Sequence, residues 1–268
     1  MTGSAEQAVL PQRLAWRSFY ALFLRDVTVA RRELPVFLVR TAIQPLLYVL
    51  VFGFLLPRMN FVGRAYTSTL LPGILALSLS LSSMQWVALP MVIDFATNGI
   101  EDRLLAPLPM RLIALEKIAM GIIQGLVAAL FVLPIARLIM GPIEALTLSN
   151  VGEIAIVALL GAAAFASLGL LLGTAISPQQ IGLVFSVIIG PIMFFGCTYY
   201  PWKGLDAVPV LKYLVLINPM VYVAEGMRGA LTPALPHMSL GAVIGALTLL
   251  TLGVFALGLR AFERRAIM

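Results

Sequence analysis

The chain has 268 residues, of which 61% are hydrophobic and only 11% are charged, and its formal net charge is +6. Soluble globular domains carry about 25% charged residues, so a water-soluble fold is excluded because it could not hide this much apolar surface. The basic residues lie between and beside apolar runs, a pattern that fixes membrane orientation and argues against nucleic-acid binding.

Residues 1–35 are predicted to form a cytosolic N-terminus that contains an amphipathic helix in the membrane interface. Between residues 12 and 33, basic side chains interrupt an apolar pattern whose aromatic members suit the headgroup region. The residues assigned to this interfacial helix are Arg13, Trp16, Arg17, Arg25, Arg31 and Arg32. A cytosolic helix that docks on protein is the alternative for the same pattern.

Residues 36–268 are predicted to form a transmembrane domain of six helices. A helix that crosses the hydrocarbon core needs about 20 mostly apolar residues, and six stretches meet or approach that length. The predicted spans cover about 36–56, 70–93, 118–139, 154–176, 181–197 and 239–259. The fifth is short and contains Pro191. Together these stretches predict an all-α integral membrane fold.

The basic residues are distributed unevenly between the two sides that six spans create. With the N-terminus in the cytosol, the inner segments hold twelve of the 18 Lys and Arg residues and the outer segments hold six. Cytosolic segments of membrane proteins carry the excess of Lys and Arg. Both chain termini are therefore predicted to be cytosolic.

A long polar interruption at residues 95–117 separates the second and third spans on the predicted inner side. Asn98-Gly99 is a turn signal, and a short helix can follow it. Glu101 and Asp102 would stand at the start of that helix, where the positive end of the helix dipole favours acidic side chains. The segment is predicted to be a cytosolic coupling helix that a soluble partner can contact.

The segment 199–231, before the last span, is apolar but broken by Asn218-Pro219. Proline removes a helical hydrogen bond, and the apolar pieces on either side are too short to cross the bilayer. We expect two half-helices that enter the outer leaflet and return. Glu225 and Arg228 share a helix face there, which fits either a local ion pair or a gate at the outer mouth.

Residues that would support catalysis in this chain are sparse. A P-loop requires Gly-Lys followed by Ser or Thr, and no lysine here follows a glycine. The single histidine, His237, has no nearby cysteine or carboxylate, so neither a metal site nor a serine hydrolase triad is indicated. The sequence predicts a transport subunit that is not an enzyme and holds no metal or cofactor.

Three segments, taken in order, resemble the permease subunits of type-2 ABC exporters, and the resemblance covers almost the whole chain. The order and spacing of the three segments carry the resemblance. They are Gln44–Tyr48 with Val51–Gly53, Glu101–Pro107 with Arg111 and Lys117, and Asn218–Tyr222 with Glu225 and Arg228.

This resemblance implies that two permease copies, or two related permeases, pair with two ABC ATPase subunits that bind ATP and Mg. The protein would be a multi-pass exporter subunit in the bacterial plasma (inner) membrane, in contact with membrane lipid. Besides the interfacial helix, coupling to the ATPase would involve Asn98, Gly99, Glu101, Asp102, Arg103, Leu104, Leu105 and Pro107. The outer gate or re-entrant segment would involve Asn218, Pro219, Tyr222, Glu225 and Arg228.

Other functions remain compatible with the composition. A secondary transporter or channel would work without an ATPase partner, an intramembrane enzyme would need a carboxylate or histidine cluster, and a scaffold would transport nothing. Aromatic residues make up 9% of the chain and form no dense ladder, so a dedicated sugar-polymer conduit is not indicated. An amphiphilic drug or lipid, including a lipid-linked glycan, is the expected cargo.

Overall fold

The computed structural model describes residues 12–61, 63–97, 109–140 and 148–267, and every regular element in these ranges is helical. This confirms the predicted all-α membrane fold. The helices are α1 (Gln12–Tyr48), α2 (Arg64–Ala96), α3 (Met110–Met140), α4 (Leu148–Ala175), α5 (Ile181–Phe194), α6 (Pro209–Leu214), α7 (Pro219–Leu231) and α8 (Leu240–Ile267).

Five helices in the described ranges are long and apolar enough to cross a membrane. Their apolar stretches are Trp16–Arg58, Tyr66–Ala96, Met110–Met140, Asn150–Ala175 and Leu240–Arg265. The predicted span at 181–197 is shorter than expected, since α5 has 14 residues and a length of about 21 Å against a core of about 30 Å. The chain leaves the helix after Phe194, and Cys197 adopts a left-handed φ of 53°.

The predicted interfacial segment and the predicted first span are parts of one helix. α1 runs without a break through Pro35 and Pro45 and continues as a π-helix at Val49–Leu55 and a last α-turn at Leu56–Arg58. Proline lacks the N–H that an α-helix needs, so a change in hydrogen-bond register soon after Pro45 is physically expected. The helix therefore joins the N-terminal segment rigidly to the membrane bundle.

The long helices form an antiparallel bundle around α2, whose apolar stretch is 72% buried. α1 and α3 run in one direction, whereas α2, α4 and α8 run in the other. Two contacts show which helix ends lie together. Asp26, in the first half of α1, pairs with Lys117 near the start of α3, and Arg265 near the end of α8 donates to the carbonyl of Ile176 just after α4. We call the end where α1 begins and α8 ends the termini end, and the opposite end, where α4 begins, the hairpin end.

Gly73 allows α2 to touch the turn that follows α5. A Cβ at this position would overlap the carbonyl oxygen of Thr198, which is backbone and cannot move aside. Gly190, on α5, has no atom within 4 Å of where its Cβ would lie. Close approach of helix and turn therefore depends on the missing side chain at Gly73.

We predict that Gly73→Ala lowers the free energy of unfolding by about 1–3 kcal/mol, because overpacking displaces the turn. Gly190→Ala is the matched control and should be neutral or slightly stabilising, since alanine favours a helix by up to about 1 kcal/mol over glycine. Thermal unfolding of the purified variants in detergent measures both. Equal losses in the two variants would contradict the proposed contact.

Candidate functional site

The chain turns sharply at the predicted break between α6 and α7. The helical segments Pro209–Ile217 and Pro219–Leu231 meet at an angle of 100° at Asn218. The Asn218 side chain accepts a hydrogen bond from Met220 N at 3.0 Å and so caps α7. Its amide donates to the carbonyl of Ile192 at 2.8 Å, which ties the turn to the end of α5.

Both arms of this structure return to the hairpin end of the bundle. The backbone N–H of Trp202, at the start of the incoming arm, donates to Glu225 of the outgoing arm at 2.9 Å, so the two arms lie side by side. In the outgoing arm, the carbonyl of Ala230 accepts a hydrogen bond from Asn150 Nδ2 at 3.4 Å, close to where α4 begins. Because the chain enters and leaves on the same side, residues 201–231 form a re-entrant hairpin with its apex at Asn218.

Glu225 and Arg228 form a fully buried ion pair inside this hairpin, since both side chains are 0% exposed. One Glu225 oxygen also accepts the backbone N–H of Trp202 at 2.9 Å, and the other accepts that of Met238 at 2.9 Å. Arg228 Nη2 donates to the carbonyl of Cys197 at 2.9 Å. The pair thus ties α7 to the turn before the hairpin and to the segment that leads into α8.

This geometry favours the ion-pair interpretation of Glu225 and Arg228 over the gate interpretation. A group that opens and closes a path needs room to move, whereas these two groups are each held by the backbone of other segments. Tyr222 is held similarly, because its hydroxyl donates to the carbonyl of Leu216 at 2.8 Å across the apex. The predicted residues Asn218, Tyr222, Glu225 and Arg228 therefore lie in one hairpin, each hydrogen-bonded to backbone groups of that hairpin or of a neighbouring segment.

An aromatic cluster beside the hairpin was not predicted from the sequence. The ring of Tyr199 lies 5.5 Å from Tyr48, 5.8 Å from Phe52 and 6.1 Å from Phe194, measured between ring centroids. It joins α1 to the turn after α5. These rings are far apart in sequence, so no helical or strand periodicity could have predicted that they meet. They come together only when the chain folds.

A second charged cluster lies at the termini end. Lys117 Nζ is 2.5 Å from Asp26 of α1 and 3.4 Å from Glu116. Glu116 is 0% exposed and Lys117 is 5% exposed, so this cluster is also buried. Glu116 lies just before the predicted span at 118–139, yet its side chain points into the bundle.

The residues assigned to the interfacial helix lie along the first turns of α1. The side chain of Trp16 is 56% exposed, and Arg17, Arg25, Arg31 and Arg32 are exposed as well. Arg25 contacts Asp26 at 3.2 Å. The side chain of Arg13 is not among those described.

The predicted coupling residues lie outside the described residues. These are Asn98, Gly99, Glu101, Asp102, Arg103, Leu104, Leu105 and Pro107. The helices that flank them are described, and α2 ends at Ala96 while α3 begins at Met110. Arg111 contacts Glu263 of α8 at 3.4 Å, so the segment connects two helices at the termini end.

Comparison with known proteins gives one family and one group of relatives. The profile of the family described as "ABC-2 type transporter" matches residues 17–232. Inner membrane transport permease YadH of Escherichia coli strain K12 is 26% identical over 218 residues, which cover 80% of this chain and 83% of that protein. The proteins of the same name from Escherichia coli O157:H7 and Shigella flexneri match to the same extent. The family match includes both the segment 98–107 and the re-entrant hairpin.

Proposed function

Because the chain belongs to the ABC-2 type transporter family, whose members are membrane permeases, we propose that it is the transmembrane subunit of an ATP-driven exporter. The proposed cargo is an amphiphilic drug, a lipid or a lipid-linked glycan, which moves outward across the bacterial plasma membrane. The observation that carries the proposal is the family match over most of the chain. The bundle of long apolar helices supplies the membrane-embedded body that such a subunit needs.

The energy for transport comes, in this proposal, from a separate partner. No lysine in the sequence follows a glycine, so the chain has no P-loop of its own. Two copies of an ABC ATPase would bind ATP and Mg and would act on the termini end. The segment 98–107 and the exposed arginines of α1 are the proposed contacts, since both belong to that end.

The proposed orientation places the termini end in the cytosol and the re-entrant hairpin on the outer side. The excess of basic residues in the segments at the termini end supports this orientation. The hairpin would then line the outer part of the path, held by Glu225 and Arg228. Broken backbone at membrane depth is tolerated where protein covers it, as α4 and α8 cover α7 here.

A second permease copy, or a related permease, is the other proposed partner. Exposed apolar side chains cover one face of α1 and one face of α5. Val36 is 73% exposed and Val39 63% on α1, while Leu183 is 68% exposed and Val187 62% on α5. In one bundle these faces would meet lipid, and in a pair of permeases part of them would be buried.

A secondary transporter that works alone is the second candidate. Such transporters use buried ionisable groups, and the buried side chains of Glu116 and Lys117 favour this alternative. Both residues nevertheless lie in the first turns of α3 at the termini end and not at its centre. They therefore fit a fixed connection between α1 and α3 better than a site at the bilayer midplane.

The proposal predicts that the tagged full-length chain, isolated from its native host in mild detergent, carries a bound ABC ATPase subunit. The complex should hydrolyse ATP, and the permease separated from that subunit should not. Transport should occur in proteoliposomes only with ATP inside the compartment that holds the ATPase. Transport by the purified chain alone, without ATP, would instead support the secondary transporter.

A further inference from the structure

A cleft runs along α1 and α2 from the termini end towards the middle of the bundle. Its volume is about 680 Å³, and at the termini end it reaches Lys117 on α3. One wall is apolar, with Phe37 packed edge-on against Trp86 at a centroid distance of 5.6 Å. Charged and polar side chains such as Arg40, Glu33 and Gln85 also line it, so the cleft is suited to an amphiphilic molecule and not to a purely apolar one.

Arg40 is the charged group of interest, because it lies at the upper end of the cleft within the apolar part of α1. It also lines a second groove of about 550 Å³ together with Val36, Val39 and Ile43. In the described part of the chain, no carboxylate lies within ion-pair distance of its guanidinium. An arginine among apolar side chains in a membrane helix is costly unless an anion accompanies it.

The depth of Arg40 suits a lipid headgroup. Arg58 lies at the far end of the same helix, about 27 Å away at a rise of 1.5 Å per residue. The hydrocarbon core is about 30 Å thick, so the two arginines stand close to its opposite surfaces. With Arg58 at the outer surface of the core, Arg40 stands close to its inner surface, from which a long arginine side chain can reach towards the inner-leaflet phosphates.

The wall opposite Arg40 offers a buried hydroxyl that has no partner among the described residues. Ser82 of α2 lines the cleft, is 3% exposed, and its Oγ makes no hydrogen bond there. Thr41 and Gln85 line the same part of the cleft. A buried polar group without a partner costs free energy, and a ligand with acceptor oxygens would satisfy it.

The other charges of the cleft lie nearer the termini end. Asp26 is engaged with Lys117 and with Arg25. Glu33 also lines the cleft, two helical turns from Arg40, and it disfavours an anion at its own level. The anion site is therefore confined to the upper part of the cleft, around Arg40 and Ser82.

From these observations we propose that an anionic glycerolipid binds at the upper end of the cleft between α1 and α2, where its phosphate contacts Arg40 and its acyl chain runs towards the bilayer centre past Ile43, which lines the second groove with Arg40. Arginine suits a phosphate because its guanidinium can donate two parallel hydrogen bonds. This site would make the proposed function more specific. The idea that the bound lipid represents the cargo class rests on that proposed function. The binding itself needs no ATPase.

The test uses native mass spectrometry of the purified full-length chain with added dioleoylphosphatidylglycerol or dioleoylphosphatidylcholine. The wild type should bind the anionic lipid more tightly than the zwitterionic one. Arg40→Gln should weaken binding of the anionic lipid by about tenfold, the loss expected for a charged hydrogen-bonded contact. Arg137→Gln removes an exposed arginine at the other end of α3, outside the cleft, and should change binding by less than about twofold.

Four results would overturn the proposal. One is equal binding of the two lipids by the wild type, and another is an equal loss in the two variants. The third is competition by soluble glycerol phosphate as effective as that by lipid, because the site would then hold only a free anion. A dimer that dissociates in Arg40→Gln while lipid binding persists would assign Arg40 to contact with a second copy, which also contradicts the proposal. None of these results depends on an ATPase partner, so failure here is distinct from failure of the exporter function.

Discussion

Replacing Arg228 with methionine is expected to lower the free energy of unfolding by about 3–5 kcal/mol, which is the usual cost of leaving one member of a buried ion pair without the other. Both side chains are 0% exposed, so water cannot replace the lost guanidinium. The carbonyl of Cys197 would lose its donor as well. The expected result is a large fall in the temperature at which the detergent-solubilised protein unfolds.

Two further variants separate the ion pair from general damage to the hairpin. Adding Glu225→Gln to Arg228→Met should recover part of the loss, because no unpaired charge is then buried. Recovery should be incomplete, since Trp202 and Met238 donate to different oxygens of Glu225 and glutamine replaces one of these oxygens with an NH2 group that cannot accept. Asp206→Asn removes an exposed partner of Lys212 in the same hairpin and should cost less than about 1 kcal/mol. An Arg228→Met protein that melts with the wild type would show that the pair does not hold the hairpin.

Reversing the three charges of the coupling segment is expected to abolish the effect of the permease on ATP hydrolysis. The variant carries Glu101→Lys, Asp102→Lys and Arg103→Glu, and the prediction follows from the proposed contact with the ATPase. Membrane insertion should persist, because these residues lie outside the apolar stretches. ATP hydrolysis and transport by the reconstituted complex, compared with the amount of folded permease, measure the effect.

A matched control reverses two charges at the opposite end of the bundle. Lys203→Glu with Asp206→Lys changes exposed residues in the first arm of the hairpin, and hydrolysis should stay close to that of the wild type. Normal coupling in the triple variant would contradict the proposed ATPase contact. Equal loss in the control would also contradict it, since the effect would then be unrelated to position.

Helix existence could be predicted from the sequence far better than helix ends. The apolar run at 118–139 predicted the third span, yet α3 extends from Met110 to Met140. Apolar length reports the part of a helix that meets lipid, whereas backbone hydrogen bonding continues into polar residues beyond it. The same reasoning explains why a predicted interfacial segment and a predicted span proved to be one helix, α1.

The sequence predicted the break at the apex of the hairpin, but it did not predict the hydrogen bonds that hold the hairpin to neighbouring segments. Asn218-Pro219 marks a break by local chemistry, and Glu225 and Arg228 are paired by helical spacing. The backbone donors of Trp202 and Met238, which fix Glu225, are not encoded in any local pattern. Contacts of this kind depend on the packed fold, so the sequence left the choice between gate and ion pair open.

The buried charged cluster at the termini end also could not be predicted from local sequence patterns. Asp26 and Lys117 are 91 residues apart in sequence, yet their side chains are 2.5 Å apart. Charged residues near the end of an apolar run ordinarily face the interface, and the sequence places Glu116 at such an end. The close packing of α1 against α3 buries it instead.

The most direct test of the account is the accessibility of single cysteines at positions 102 and 206 to a membrane-impermeant reagent added outside right-side-out vesicles. Cys197 is buried, and a Cys197→Ser background removes it as a competitor for the reagent. We predict strong labelling at position 206 and none at position 102 until the membrane is permeabilised. Labelling of position 102 from outside, or none at 206, would contradict an arrangement in which the coupling segment is cytosolic and the hairpin returns to the outer face.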